Sequence, residues 1–448
     1  MGWAGHFRRR AHIDDMEKVF RSWGVDETWL LPPSVKDFVP EGHLAQFVRE
    51  TVCELLDLSA IEESYEEPKG YPPYHPAMMT ALLLYAYANG IYSSRRIARA
   101  CEERMDFMAI TAMQRPDFRT VNEFRCKHLK ALGELFVQVL HLCQRAGLVK
   151  LGHVALDGTK MRANASKHKA MSYGRMKTDE PKLQAEVSEW FSRAEKADVA
   201  EDAEHGSERR GDEPPEWVKN RQRRLEELRQ AKAELEAEAR QDKSGGKAGP
   251  SGPPAKSPEP KDSAQRNFTD PDSRIMNSHD GFIQAYNCQA AVDADSHVIV
   301  AQDLTNNASD SLLLAPMLRQ IKRNTGRQAG EASADAGYCS ESNLAALRRH
   351  HVNAYIGTGR QKHGVASATW QRPGKPGSLV RAMALKLRRG AHRSRYRLRK
   401  QTVEPVFGQI KSARGFRQFL LRGIEKVAAE WSLLCSAHNL LKLARASG

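Results

Sequence analysis

Three acids stand where metal-dependent chemistry can be done. Asp157 follows the apolar run Val154-Ala155-Leu156 and precedes Gly158-Thr159, the pattern of a buried strand ending at an acid and a turn. Asp335 is placed in the same way, ahead of Ala336-Gly337-Tyr338. An open sheet presents its ligands at such strand ends. Pro405 is tolerated in a first helical turn, so a helix is expected to open near Thr402. Glu404, Gly408 and Lys411 then share one face, at i, i+4 and i+7. Lys411 can hold a phosphate, and Gly408 lets a nucleic-acid backbone come close. Three carboxylates suit hard cations such as Mg²⁺, which keep waters and bind phosphate oxygens. Two such ions can activate a nucleophile and stabilise the leaving oxygen of a phosphodiester. Each acid also has an ordinary role open to it: Asp157 and Asp335 as turn formers, Glu404 as a surface ion-pair partner. Asp303 ends a strand as well and competes with Asp335; spacing alone does not settle the triad.

Glu404 lies in an unusual electrostatic setting. The 448 residues carry a net charge of +14. From Gly359 to Ile424 there are 17 Lys and Arg and one acid, Glu404 itself. The other 382 residues carry 52 bases and 54 acids, so this one tract holds the whole excess. Clustered cations gain free energy by releasing counterions from nucleic acid, so the tract reads as a phosphate-binding surface. Trp370 and Tyr396 lie within it and are candidates to stack on unpaired bases.

The elements that must position these residues fall into two groups. Residues 1–150 read as all-helical. Leu44, Phe47, Val48, Val52, Leu55 and Leu56 recur at helical spacing, and a second helix runs from Pro76 to Ala88. Ser93 or Ser94 can cap a third, Thr120 with Glu123 makes a capping box, and Leu132 to Leu142 marks a further helix. The turn at Gly90, with Arg95, Arg96 and Arg99 beyond it, allows a helix-turn-helix reader or an ordinary helical hairpin. Residues 151–448 read as mixed α/β. Tyr286 to Val292 and His297 to Ala301 are strands; Ser309 or Asp310 can cap a helix that stops at Gly326; Val352 to Ile356 is another strand. A helix carrying Val403, Val406, Phe407 and Ile410 and a last one through Trp431 follow. Residues 170–265 interrupt this domain as a charged helical and low-complexity insertion, whose thin stripe of Leu225, Leu228 and Leu235 suggests a coiled-coil contact between subunits.

Composition narrows the field. Apolar residues make up 40% and charged residues 28%, as in globular proteins. The longest apolar stretch, near Met78 to Ala88, is far short of the ~20 residues a membrane span needs. The start of the chain is polar, so no signal segment is expected. Seven scattered cysteines without a C-x-x-C argue against a disulfide framework or a thiolate zinc site, and fit a reducing cytosol. A haloacid-dehalogenase phosphatase would want a second acid two residues after Asp157, where Thr159 stands.

Taken together, the residues resemble the DDE transposases of bacterial insertion sequences. The likeness rests on Tyr74-His75-Pro76, Gly90-Ile91-Tyr92-Ser93-Ser94-Arg95, Pro116 to Arg125, Leu156-Asp157-Gly158-Thr159-Lys160, Ala334-Asp335-Ala336-Gly337-Tyr338-Cys339-Ser340 and Val403-Glu404-Pro405-Val406-Phe407-Gly408-Gln409-Ile410-Lys411, with Ala437-His438-Asn439-Leu440 near the end. The resemblance implies an RNase H-like core in which the strands of Asp157 and Asp335 are neighbours and the Glu404 helix packs on them. It favours Asp335 over Asp303, which would lie about twice the ~4.8 Å strand spacing away. It implies Asp157, Asp335 and Glu404 as ligands of two Mg²⁺ ions per site, with Mn²⁺ as substitute, and no covalent enzyme–DNA intermediate. The family's glutamate helix carries a tyrosine and an arginine upstream and a lysine downstream. Lys411 matches the lysine; Lys400 stands at the arginine position and Arg397 at the tyrosine position, with Tyr396 one residue off. Lys400, Lys411, Arg414, Arg397, Arg95 and Arg96 are the expected contacts to double-stranded DNA, at the element's terminal inverted repeats and at the target. A homodimer on DNA and a bacterial, nucleoid-associated cytoplasmic location are expected. A related metal-dependent nuclease such as a resolvase, or a non-catalytic DNA-binding regulator, are the competing functions.

Overall fold

The computed structural model describes residues 34, 37, 39–65, 73–205, 216–244, 259–278, 281–359 and 375–447, without the side chains of 194–205 and 241–244. The first helices are α1 (Leu44–Glu50), α2 (Ser59–Glu62), α3 (Pro76–Ala88), α4 (Ser94–Glu103), α5 (Met105–Thr111), α6 (Phe118–Lys127) and α7 (Leu129–Arg145). Helix α3 is apolar on every side and is buried on every side, as that pattern requires. His75 caps it, its Nδ1 accepting from the Ala77 N–H at 3.2 Å, and Pro76 fills the first position. Helix α6 starts earlier than the expected capping box: Asp117 caps it through the Arg119 N–H at 2.6 Å, leaving Thr120 inside the first turn.

The mixed sheet follows. It comprises β1 (His153–Arg162), β4 (Arg274–Ser278), β5 (Gly281–Asp293), β6 (Ile299–Thr305), β7 (Glu331–Ala334) and β8 (Asn353–Ile356). The order is β4-β5-β1-β7-β8, with β6 also paired to β5. Strands β7 and β8 run parallel to β1, while β5 is antiparallel to it. Helices α10 (Leu314–Thr325), α11 (Glu341–Arg349), α12 (Leu379–Arg388), α13 (Gly390–Gly408) and α14 (Ile424–Ser447) complete the chain. Helix α13 lies over β1, β5, β7 and β8; α14 packs on β6, α3 and α7.

The change of character expected at residue 150 is one of secondary structure. The hydrophobic core runs across it, from Val48 and Leu82 to Val300, Trp431 and Leu434. A buried polar network joins the two sides as well. Glu430 on α14 accepts the Leu420 and Leu421 N–H groups at 3.1 and 3.2 Å and the Tyr87 hydroxyl at 3.3 Å; Arg125 donates to that hydroxyl at 3.3 Å. At Gly90, with φ +74°, a Cβ would stand 2.6 Å from the Arg414 carbonyl oxygen, so the turn closes directly on the C-terminal half.

The insertion is a helical hairpin, α8 (Tyr173–His205) and α9 (Glu216–Ser244), clipped at its base by the short strands β2 (Ala170–Ser172) and β3 (Gln265–Asn267). Tyr173 meets Glu236, and Glu180 meets Arg229 and Lys232, so the helices are antiparallel. Leu228 and Leu235 pack inside the chain on Tyr173 and Met176, and Leu225 is buried too. The leucine stripe is therefore spent within one chain, which removes the reason for an inter-subunit coiled coil. The low-complexity run at 245–258, and Trp370, lie outside the described residues.

Candidate active site

Strand β1 does not end at Asp157 as the turn-like Gly158 suggested. It continues to Arg162, because β5 pairs with it along its whole length. Asp157 is thus a mid-strand residue. Leu156 is in register with Ala334 on parallel β7, so Asp157 and Asp335 follow side by side on neighbouring strands. Asp335 caps the short turn Ala336–Tyr338, its Oδ1 accepting the Gly337 N–H at 2.8 Å. Asp303 is on β6, beyond β5, in register with Gln289 and two strands from Asp157.

Helix α13 supplies the cationic side. It begins at Gly390, twelve residues before the expected start, so Pro405 lies in its interior. The missing proline N–H leaves the Gln401 carbonyl without its helical donor. His297 Nε2 occupies that carbonyl at 3.0 Å. Its backbone carbonyl in turn accepts from His438 Nε2 at 2.9 Å, while His438 Nδ1 faces the Arg414 guanidinium at 3.0 Å. An arginine can only donate, so the His438 proton sits on Nε2. The interior proline is held by a side chain from the β5–β6 turn.

The cation nearest the acids is Arg399, which the family spacing had assigned to Lys400. Arg399 Nη1 donates to Asp157 Oδ2 at 2.6 Å, and Nη2 lies 3.6 Å from Glu404 Oε1. Tyr396 lies one turn back, its hydroxyl end against Gly357. The tyrosine–arginine spacing of the family is kept, but one residue further from the glutamate. Arg397 and Lys400 point to solvent. Lys411 Nζ donates to Thr159 Oγ1 at 2.5 Å and to the Lys160 carbonyl at 2.8 Å, beside Asp157. Arg414 turns inward to His438 and to the Gln409 carbonyl, which takes it out of the expected DNA contacts. Arg95 and Arg96 are exposed on α4, and Arg99 pairs with Glu103.

Burial pushes the Asp157 carboxyl up to about 7; Arg399 opposes the rise, while the charges of Asp335 and Asp310 add to it. Asp310 was expected as a helix cap. Helix α10 starts only at Leu314, and Asp310 instead reaches the sheet at Asn287, Gln289 and Lys160.

These acids gather hard oxygen donors around one guanidinium, and a divalent cation would offset the charge that holds Asp157 back. Among the described residues no three His, Cys, Asp or Glu side chains stand close enough to hold an ion as placed. Asp157 spends one oxygen on Arg399, and Asp335 one on the Gly337 N–H. The donor chemistry fits, with Arg399 in the position of the counter-charge.

A mixed sheet bearing adjacent acids, roofed by a basic helix, defines a carboxylate-centred site beside a cationic surface. Residues 33–127 match the model described as Transposase domain (DUF772), and residues 255–440 match that of the Transposase DDE domain. The chain belongs to the DDE transposases of insertion sequences. That family typically uses divalent metal ions and acts on DNA. Neither the curated proteins nor the solved structures gave a match. Among the described residues no helix is long and apolar enough to cross a membrane.

Proposed function

We propose that the chain cuts DNA at the terminal inverted repeats of its element and joins the freed ends to target DNA. The observation that carries this is the placement of Asp157 and Asp335 on neighbouring parallel strands, with Glu404 brought to Asp157 through Arg399. Those relations also support an RNase H-like core. Asp157, Asp335 and Glu404 would hold the divalent ions, Mg²⁺ or Mn²⁺, two per site. Such ions, when bound, activate the attacking oxygen and stabilise the leaving one.

The chain's own residues do the rest. Asp157 must exchange Arg399 for a ligand, which frees the guanidinium to meet a phosphate. Lys411 fixes the strand beside Asp157. Arg397 and Lys400 offer exposed charge to the duplex, and Arg95 and Arg96 do so from α4. In the first step water attacks the phosphorus at the element end and displaces the 3′-oxygen, which leaves as a hydroxyl. In the second, that hydroxyl attacks a target phosphorus and displaces its 3′-oxygen. A homodimer that bridges two ends, in a nucleoid-associated cytoplasmic location, completes the proposal.

The test is the purified protein and its Glu404→Ala variant, incubated with Mg²⁺ and labelled DNA carrying the element's ends. Nicking by the parent alone supports the reading. Binding without cutting by both, in Mg²⁺ and in Mn²⁺, would make the chain a DNA-binding regulator.

A further inference from the structure

We propose that Asp310 is a positioning residue for Asp157 and Asp335, acting from the far face of the sheet; this rests on the transposase site proposed above. Side chains alternate along β1, so Gly158 and Lys160 face away from Arg399 and α13. Their partners on β5 are Gln289 and Asn287. Asp310 rises between β6 and α10 to meet this group. Its Oδ1 accepts from Asn287 Nδ2 at 2.6 Å, from Gln289 Nε2 at 2.9 Å and from Lys160 Nζ at 3.4 Å. A Cβ on Gly158 would stand 2.8 Å from that oxygen and 2.3 Å from Gln289 Nε2. Glycine therefore follows Asp157 because the carboxylate and the amide fill the space a side chain would take. On its other side, Asp310 Oδ2 lies 3.5 Å from where a Cβ of Gly337 would be.

The contact continues to the second acid. Gln289 Oε1 accepts from the Tyr338 hydroxyl, and Tyr338 ends the turn that Asp335 caps. Tyr338, Asn287 and Gln289 are all buried. Removing the Asp310 carboxylate leaves two interior amides short of an acceptor. Such a network resists being half satisfied, so the turn would shift to repair it. Among the described residues no hydrogen bond or ion pair joins Asp310 to Arg399 or Glu404; beyond the charge it adds near Asp157, its hold on the site passes through Gly158 and the Asp335 turn.

Asp310→Asn keeps an acceptor oxygen, Asp310→Ala removes it, and Tyr338→Phe cuts the far link. Three quantities are measured: hydrogen exchange across 331–340, affinity for end DNA, and cleavage in Mg²⁺. Asp310→Ala is expected to speed exchange in the turn and slow cutting by about 100-fold, the scale of a ~1 Å misplacement. Its DNA affinity should be unchanged, Asp310→Asn should restore most of both losses, and Tyr338→Phe should repeat the faster exchange. Cutting at the parent's rate by Asp310→Ala overturns the proposal. So does an Asp310→Asn protein as slow as Asp310→Ala with exchange unaltered, which would make the charge itself the contribution. Faster exchange in Asp310→Ala beside a parent that never cuts would sink the transposase reading and keep the tie.

Discussion

Two of the acid–arginine clusters among the described residues, those of Glu430 and Asp157, are finished differently. In the Glu430 cluster one carboxylate accepts two backbone N–H groups and a tyrosine hydroxyl, with Arg125 behind the tyrosine. In the Asp157 cluster a single guanidinium faces Asp157 and Glu404, with Asp335 and Asp310 nearby, and Glu404 is half exposed. Burial raises both Asp157 and Glu430. The first cluster is closed on itself and joins α3, α6 and α14. The second has more negative charge than the chain compensates and opens to solvent on the basic side. A carboxylate whose two oxygens are both engaged in the interior fixes a fold; acids gathered at a half-exposed site have capacity left for a ligand.

The largest effect expected from this contrast is at Glu430. Glu430→Ala strands two backbone N–H groups and the Tyr87 hydroxyl, and removes a nearby negative charge from the buried Arg125. The loss expected is about 3 kcal/mol or more, from buried donors left without an acceptor at about 1–3 kcal/mol each. Denaturant unfolding measures it. A loss below about 1 kcal/mol would mean that water already satisfies these groups, and the contrast would collapse.

Asp157 should behave in the opposite way. Its folded pKa, about 7, lies above the ordinary carboxylate value of 3.8. The folded state therefore holds the proton more tightly than the unfolded chain. Its stabilising contribution is complete below about 3.8 and is lost as pH rises to about 7. Asp157→Asn removes that loss, so the gap in melting temperature between variant and parent should move in the variant's favour from pH 4 to pH 8. If the gap moves the other way, Arg399 outweighs burial and the cluster is already compensated.

The sequence marked the three candidate acids and hid what surrounds them, for identifiable reasons. Asp157, Asp335 and Glu404 are marked by local pattern: an apolar run before an acid, or a lone acid among cations. Arg399 was missed because the family spacing was counted back from Glu404 alone; counting from Tyr396 keeps the tyrosine–arginine interval and finds it. Asp310 passed for a helix cap because Leu313 and Leu314 follow it. Its partners are 23 and 150 residues away in the chain, and no local pattern encodes such a meeting. The helices before residue 150 were legible from periodicity, but not the core they share with α14. Apolar spacing names a face and not what covers it.

Pro405 gives the smallest test and the sharpest one. An interior proline normally disrupts a helix by removing a donor and crowding the carbonyl four residues back. Here His297 donates to that carbonyl, and His438 and Arg414 stand behind His297. His297→Ala alone should cost about 1 kcal/mol, the usual net worth of one hydrogen bond at a partly exposed site. Pro405→Ala restores a backbone N–H next to Glu404. In that background His297→Ala should cost little, giving a coupling of about 0.5 kcal/mol or more in a double-mutant cycle of unfolding free energies. Strict additivity would show that His297 does not serve the gap left by Pro405. Coupling would show that a turn on the antiparallel side of the sheet sets the helix that carries Glu404.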